Sequence, residues 1–74
     1  MMWTARGAYR TAEGAVELLP ERSALWTDKA ALLKEVERSH PGLEPVAAPI
    51  GLAGEWYRWV DQDDVERFVV IEEA

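Results

Sequence analysis

Residues 55–72, EWYRWVDQDDVERFVVIE, decide the fold of this chain. Within them, two runs rich in Trp, Tyr, Val, Phe and Ile flank the polar residues 61–64. Aromatic and β-branched residues favour strands and Asp favours turns, so this pattern is typical of a β-hairpin. The sequence therefore predicts two paired strands joined by an acidic turn.

The pairing register of this hairpin is predicted from its charges. Pairing Val60 with Val65 would place Arg58 directly opposite Arg67, and like charges destabilise a cross-strand pair. A register slipped by one residue places Arg58 opposite Glu66 instead. We therefore predict the slipped register.

The slipped register also divides the aromatic residues between the two faces of the sheet. Successive side chains of a strand point to opposite faces, so Trp56 pairs with Phe68 on one face while Tyr57 and Trp59 share the other. A single short helix cannot cover aromatic residues on both faces. We expect Trp56 to be buried and Trp59 to be exposed, although the sequence alone leaves open which face the helix covers.

A second, weaker hairpin pattern lies near the N-terminus. Residues 8–11 and 15–19 flank a turn in which Gly14 can take the positive φ of a type I turn with a bulge. Polar and apolar residues alternate within residues 15–19, as in a half-buried strand. Pro20 has no N–H for the ladder and is predicted to end this strand.

One helix is predicted over residues 28–39. Thr27 is a suitable N-cap, strong helix formers follow it, and Pro41 ends the helix because it biases the preceding residue out of the α region. At about 100° per residue, Leu32 and Val36 lie in one apolar stripe. We expect this stripe to face the sheet.

Residues 43–54, LEPVAAPIGLAG, connect the helix to the last hairpin. Pro45 and Pro49 exclude a continuous central strand, so we predict an extended edge segment around residues 46–48. The predicted architecture is a single α+β domain, residues 1–74, with one helix packed on a mostly antiparallel sheet. Its element order is β-β-α-(β)-β-β.

The composition predicts a folded cytoplasmic domain without a cofactor. Hydrophobic residues make up 49% of the chain and charged residues 30%, which is the balance of a folded domain. There is no cysteine, which excludes disulfides and thiolate metal sites. No apolar run approaches the roughly 18 residues of a membrane span, and the N-terminus has no signal-like apolar stretch. We therefore expect no membrane contact.

The net charge of -6 lies entirely in the second part of the chain. Residues 1–43 carry six basic and six acidic residues, whereas residues 44–74 carry two basic and eight acidic residues. Binding to a nucleic-acid backbone requires clustered Lys and Arg, so we expect no direct contact with nucleic acid. A partner protein with a basic surface suits this charge.

No group of residues matches a recognisable catalytic site. His40 is the sole histidine and has no positioned second group for acid–base chemistry, so we interpret it as a residue that stabilises the helix C-terminus. Lys29 lies near the apolar stripe, where its stem can cover Trp26 or Leu33 while its ammonium reaches water. We expect no enzymatic activity.

The acidic turn matches a calcium-binding loop only in part. Asp61, Asp63 and Asp64 offer carboxylates, but the sixth position of such a loop requires a glycine and is occupied here by Glu66. We therefore predict a solvated hairpin turn without a metal.

The leading functional hypothesis is a non-enzymatic module that binds another protein through the last hairpin. Trp and Tyr often anchor interfaces, and carboxylates around them would steer a basic partner. The predicted contact residues are Tyr57, Trp59, Asp61, Asp63, Asp64 and Glu66.

An alternative hypothesis is a small acidic inhibitor of the kind that phages and mobile elements encode. Its carboxylates would imitate the charge of a nucleic acid and block a basic groove. This hypothesis predicts binding that collapses as salt is raised. A homodimer formed through exposed strand edges is a further alternative.

Overall fold

Two β-hairpins and one short strand form an antiparallel sheet. The computed structural model describes residues 1–74, with strands β1 (Trp3–Arg10), β2 (Val16–Arg22), β3 (Glu44–Val46), β4 (Glu55–Val60) and β5 (Glu66–Glu73) and helix α1 (Lys29–Ser39). The strands lie in the order β2-β1-β5-β4-β3, and all neighbouring strands are antiparallel. The predicted α+β fold is confirmed. The edge strand is present as β3, but it begins at Glu44 and ends at Val46, two residues earlier than the predicted segment 46–48.

The two hairpins turn in the same way, through residues 11–15 and residues 61–65. In each turn the N–H of the first residue donates to the carbonyl of the fifth, at 2.7 and 3.1 Å, and the N–H of the fourth donates to the carbonyl of the first, at 2.9 and 3.0 Å. The fourth residue has a positive φ, 87° at Gly14 and 63° at Asp64. Glycine has no Cβ to clash there, and Asp is among the few other residues that tolerate this conformation. The positive φ predicted at Gly14 is therefore confirmed.

The predicted register of the last hairpin is wrong by two residues. Arg58 lies opposite Phe68 rather than opposite Glu66. The turn sets this register, because the carboxylate of Asp61 accepts the backbone N–H groups two and four residues further along, at 2.8 and 3.0 Å. These bonds hold five residues in the turn.

The predicted division of side chains between the faces is nevertheless confirmed, because a shift of two residues preserves their alternation. Arg58 still reaches Glu66 diagonally, with its Nε 2.7 Å from the carboxylate. Trp56 and Phe68 also meet diagonally, with ring centroids 6.2 Å apart. Both contacts that motivated the prediction therefore form in a different register.

Asp28, rather than the predicted Thr27, caps helix α1. Its Oδ1 accepts the N–H groups of Ala30 and Ala31 at 3.0 and 3.2 Å, which satisfies two donors that have no partner inside the helix. The helix ends before His40, whose N–H donates to a carbonyl of the last turn. No helix in the structure has both the length and the apolar character needed to cross a membrane.

Helix α1 packs on the face of the sheet that carries Tyr57 and Trp59. The predicted apolar stripe is confirmed, because Leu32 and Val36 are buried here. The buried cluster consists of Leu32, Val36, Val69 and Ile71, and half-buried Trp3, Ala5, Trp26, Leu33, Leu43, Tyr57 and Trp59 surround it. The expectation that Trp59 is exposed is wrong. Trp59 lies on the face of the sheet that the helix covers, and it is half-buried there.

The opposite face has its own apolar cluster beneath the segment that joins β3 to β4. Its buried members are Ala8, Trp56, Phe68 and Val70. Trp56 is 2% exposed, as predicted, and its indole N–H donates to the carbonyl of Ala53 at 2.9 Å. A Cβ at Gly54 would lie 2.6 Å from a methyl carbon of Val70, so the joining segment can approach the sheet only with glycine at this position.

Strand β2 does not end at Pro20, and that prediction is wrong. The strand continues to Arg22. Because β2 lies at the edge of the sheet, the missing N–H of a proline does not break the ladder. A bulge adjusts the pairing, with residues 19–21 opposite the single residue Gly7.

Candidate interaction surface

A groove lies beside helix α1, on the part of the sheet face that the helix leaves uncovered. Its volume is about 570 Å³. The helix end contributes Val36 and His40, strand β4 contributes Trp59, and the first hairpin contributes Tyr9 and Leu19. Two hairpins and the helix therefore meet at one mostly apolar concavity, called the groove below.

The first hairpin leaves apolar surface uncovered at the groove. Leu19 is 43% exposed and Tyr9 is 40% exposed. Leu19 lies across Gly7, where a Cβ would sit 2.9 Å from its Cδ1. The absence of a side chain at Gly7 therefore lets Leu19 lie close to the sheet at the edge of the groove.

His40 and Trp59 hold each other in place at the helix end. Their ring centroids are 4.6 Å apart and the rings are nearly perpendicular, at 86°. His40 Nδ1 lies 2.8 Å from the carbonyl oxygen of Val36, so this nitrogen carries the hydrogen that is donated. A fixed imidazole thus holds the indole of Trp59, which gives the groove a rigid aromatic wall.

Three of the carboxylates without an ion pair lie at one end of the sheet. Six of the eight Lys and Arg form ion pairs with six of the 14 acidic residues, which leaves eight carboxylates and two cations without such a pair. Strands β1 and β4 run in the same direction, so both hairpin turns lie at one end of the sheet. That end carries unpaired Glu13, Asp63 and Asp64, and is called the acidic turn end below.

Asp61 behaves differently from its two neighbours in the turn. Its Oδ2 accepts a hydrogen bond from Arg67 Nε at 2.7 Å. This bond and the N–H groups of Val65 and Asp63 lower the pKa of the Asp61 carboxyl. Asp61 therefore organises the turn, whereas Asp63 and Asp64 present their carboxylates to solvent.

Glu66 lies on the face opposite the groove. Its carboxylate accepts Arg58 Nε at 2.7 Å and Arg10 Nε at 2.9 Å, and both bonds lower the pKa of Glu66. Arg58 also pairs with Glu44 at 3.0 Å. Opposite charges thus alternate in a row across β1, β5, β4 and β3, and the six predicted contact residues do not form one patch.

Tyr57 packs against the buried cluster beneath the helix but does not line the groove. Its hydroxyl donates to Glu55 Oε2 at 3.2 Å. Burial, together with the charge of Glu55, raises the pKa of Tyr57. Of the two predicted aromatic contacts, Trp59 lines the groove and Tyr57 does not.

Lys29 covers an aromatic ring, but not one that the sequence indicates. Its Nζ lies 4.8 Å from the ring centroid of Trp3 and forms an ion pair with Glu55. This pairing lowers the pKa of Glu55. The Lys29 ammonium therefore lies between an aromatic face and a carboxylate, and it links the start of the helix to strands β1 and β4 of the sheet.

Sequence reasoning misses Tyr9 and Leu19 as groove residues. The one local signal is that Leu19 adds a second apolar residue directly after Leu18, where strict alternation would place a polar residue. That irregularity coincides with the bulge of β2.

No protein-family model matches the chain, and no curated protein and no solved structure is significantly similar to it.

Proposed function

We propose that the protein is a non-enzymatic interaction module whose groove receives an apolar side chain of a partner protein. The observation that carries this proposal is an open groove lined mostly by apolar residues. Its two arginines, Arg6 and Arg67, are already paired with Glu72 and Asp61. The acidic turn end steers the module towards a basic partner surface, and the groove supplies the anchoring contact. The interaction is placed in the cytoplasm, where the sequence predicts the protein to be.

The size and lining of the groove support this role. A volume of about 570 Å³ falls within the range of roughly 300–1,000 Å³ in which proteins bind small ligands, and it accommodates one or two large side chains. The indole of Trp59 is already fixed by His40, so binding would cost little side-chain entropy at this wall.

Binding measurements on groove variants test the proposal. With a partner captured by the wild-type chain, Leu19→Ser should weaken binding about tenfold or more, because it places a hydroxyl in the apolar contact. Ile50→Ser is the matched control, since Ile50 is fully exposed and lies in the segment on the opposite face. Equal effects of the two substitutions would exclude the groove as the contact.

The charge-mimic alternative is supported by the acidic turn end alone. It predicts that Asp63→Asn with Asp64→Asn abolishes binding and that moderate salt does the same, while Leu19→Ser has no effect. The groove proposal predicts instead that Leu19→Ser weakens binding more than the two Asp substitutions do, and that binding survives high salt. A salt titration of the wild type and these variants separates the two.

A further inference from the structure

The sheet has two free edges, and only one of them offers hydrogen-bond donors. Bonded and non-bonded pairs alternate along an antiparallel ladder. The bond from the N–H of Asp61 to the carbonyl of Val65 fixes that alternation for β4 and β5, so Arg58 and Trp56 direct their backbone groups towards β3. Pro45 is then the β3 residue whose backbone faces outward, and it has no N–H.

Strand β2 presents the opposite situation at the other edge. The N–H of Thr11 donates to the carbonyl of Ala15 at 2.7 Å, so the next bonded pair of this ladder is Tyr9 with Glu17. Val16 and Leu18 consequently direct their N–H and carbonyl groups outward. Beyond them, Pro20 and the bulge end the regular edge.

The side chains along this edge define what can pair with it. Val16 and Leu18 are half-buried and extend the apolar cluster of Trp56 and Phe68 on one face. Glu17 points to the other face and is exposed. Its carboxylate accepts a hydrogen bond from the Tyr9 hydroxyl at 2.9 Å but forms no ion pair, so a cation can still pair with it. A matching strand would carry apolar residues opposite Val16 and Leu18 and a basic residue opposite Glu17.

A second copy of this chain matches poorly. An antiparallel pairing that uses both outward donors of each copy sets Val16 opposite Leu18 of the other copy. That arrangement places the two Glu17 carboxylates directly opposite each other, which destabilises the pair. The edge therefore favours a different chain of complementary charge.

We propose that the edge of β2 between Val16 and Leu18 binds an extended segment of a partner protein with the pattern apolar, basic, apolar. The segment adds an antiparallel strand to the sheet, as in other cases of strand addition. This inference rests on the proposed interaction function and specifies the partner's chemistry, but it uses a surface next to the groove rather than the groove itself.

The probe is the synthetic peptide acetyl-Lys-Val-Lys-Val-Lys-amide, added to the isotope-labelled full chain and followed by NMR. Amide exchange at Val16 and Leu18 should slow when the peptide binds, because these N–H groups become donors to it. The amide of Glu17, already bonded within the sheet, should not change. A peptide with Glu at the central position should bind about tenfold more weakly.

Charge exchange and proline substitution supply the controls. Glu17→Lys should reverse the preference between the two peptides, whereas Glu21→Lys, beyond Pro20, should leave it unchanged. Leu18→Pro removes an outward N–H and should abolish binding, while Leu18→Ala keeps the N–H and should retain most of it.

Three outcomes would overturn the inference. The first is a peptide that perturbs no β2 amide up to its solubility limit. The second is a response confined to the Trp59 indole and His40, which would leave the groove proposal standing. The third is concentration-dependent protection of Val16 and Leu18 without peptide, which would show a second copy at this edge.

Discussion

At the scale of single residues, the two tryptophans of β4 differ because opposite faces of the sheet are covered by different elements. Trp56 lies under the segment that joins β3 to β4 and donates its N–H to Ala53. Trp59 lies at the end of α1 and keeps one side at the groove. Trp56 therefore belongs to the closed core, whereas Trp59 contributes to the groove.

Trp56→Ala should lower the free energy of unfolding by about 3 to 5 kcal/mol, because it empties a closed site. Trp59→Ala should cost clearly less, since the indole is only half-buried. Urea melts of the two variants provide the measurement. Acrylamide quenching of single-tryptophan variants gives an independent check, and stronger quenching of Trp56 than of Trp59 would contradict the assignment of the faces.

The shared turn geometry makes Asp64 a site for stabilisation. Its φ of 63° is costly for a residue with a Cβ, and the equivalent position of the first turn is Gly14. Asp64→Gly should therefore raise the stability by up to about 1 kcal/mol, whereas Gly14→Ala should lower it by a similar amount. Thermal melts test both, and destabilisation by Asp64→Gly would show that its carboxylate matters more than its backbone strain.

At the scale of elements, the acidic turn links hairpin stability to pH through Asp61. Arg67 and two backbone N–H groups lower the pKa of Asp61 in the folded state. A lowered pKa means that the unfolded chain takes up the proton first as pH falls. The stabilisation is therefore present above about pH 4, the usual Asp range, and is lost as pH falls through the folded-state value.

Asp61→Asn should lower the free energy of unfolding at neutral pH. Between neutral and acidic pH, the variant should also lose less stability than the wild type. The amide keeps an acceptor for the turn N–H groups but loses the charge that pairs with Arg67. Asp63→Asn is the control, because the Asp63 side chain accepts no hydrogen bond from another residue in the structure. Urea melts from neutral to acidic pH decide the matter, and parallel pH profiles for Asp61→Asn and the wild type would refute the role of Asp61.

The elements also show how far the sequence determines the fold. Alternation in residues 55–72 fixes which side chains share a face, but not the register, which depends on how many residues the Asp61 carboxylate holds in the turn. The alternation also does not show which face helix α1 covers, because both faces carry aromatic residues. The start of β1 at Trp3 escapes prediction since Ala5 and Gly7, small residues on its helix side, give no apolar alternation.

The candidate surface is predictable only in part for a related reason. Trp59 stands out in the sequence because tryptophan often anchors interfaces. The other residues that line the groove beside it include Tyr9 and Leu19, from the first hairpin. No local pattern joins residues that are this far apart in the chain. Their proximity is a property of the strand order, which brings the first hairpin next to the last.

At the scale of the whole molecule, stability should decrease from the middle of the sheet to its edges. Strands β1 and β5 pair over six rungs in the centre, whereas β3 contributes three residues at one edge. Native-state hydrogen exchange should therefore be slowest for the amides shared by β1 and β5 and fast in β3. If Val46 exchanged as slowly as Val70, the sheet would have to open as a single unit.

The pairing of β1 with β5 also has a consequence for synthesis on the ribosome. Trp3 pairs with Glu73, so the central ladder joins segments almost as far apart in sequence as the chain allows. The first hairpin and the helix can form early, but the sheet cannot close until the last strand has left the exit tunnel. Until that moment the inner edge of β1 is an unpaired strand, and an unpaired edge makes an incompletely folded chain prone to aggregation.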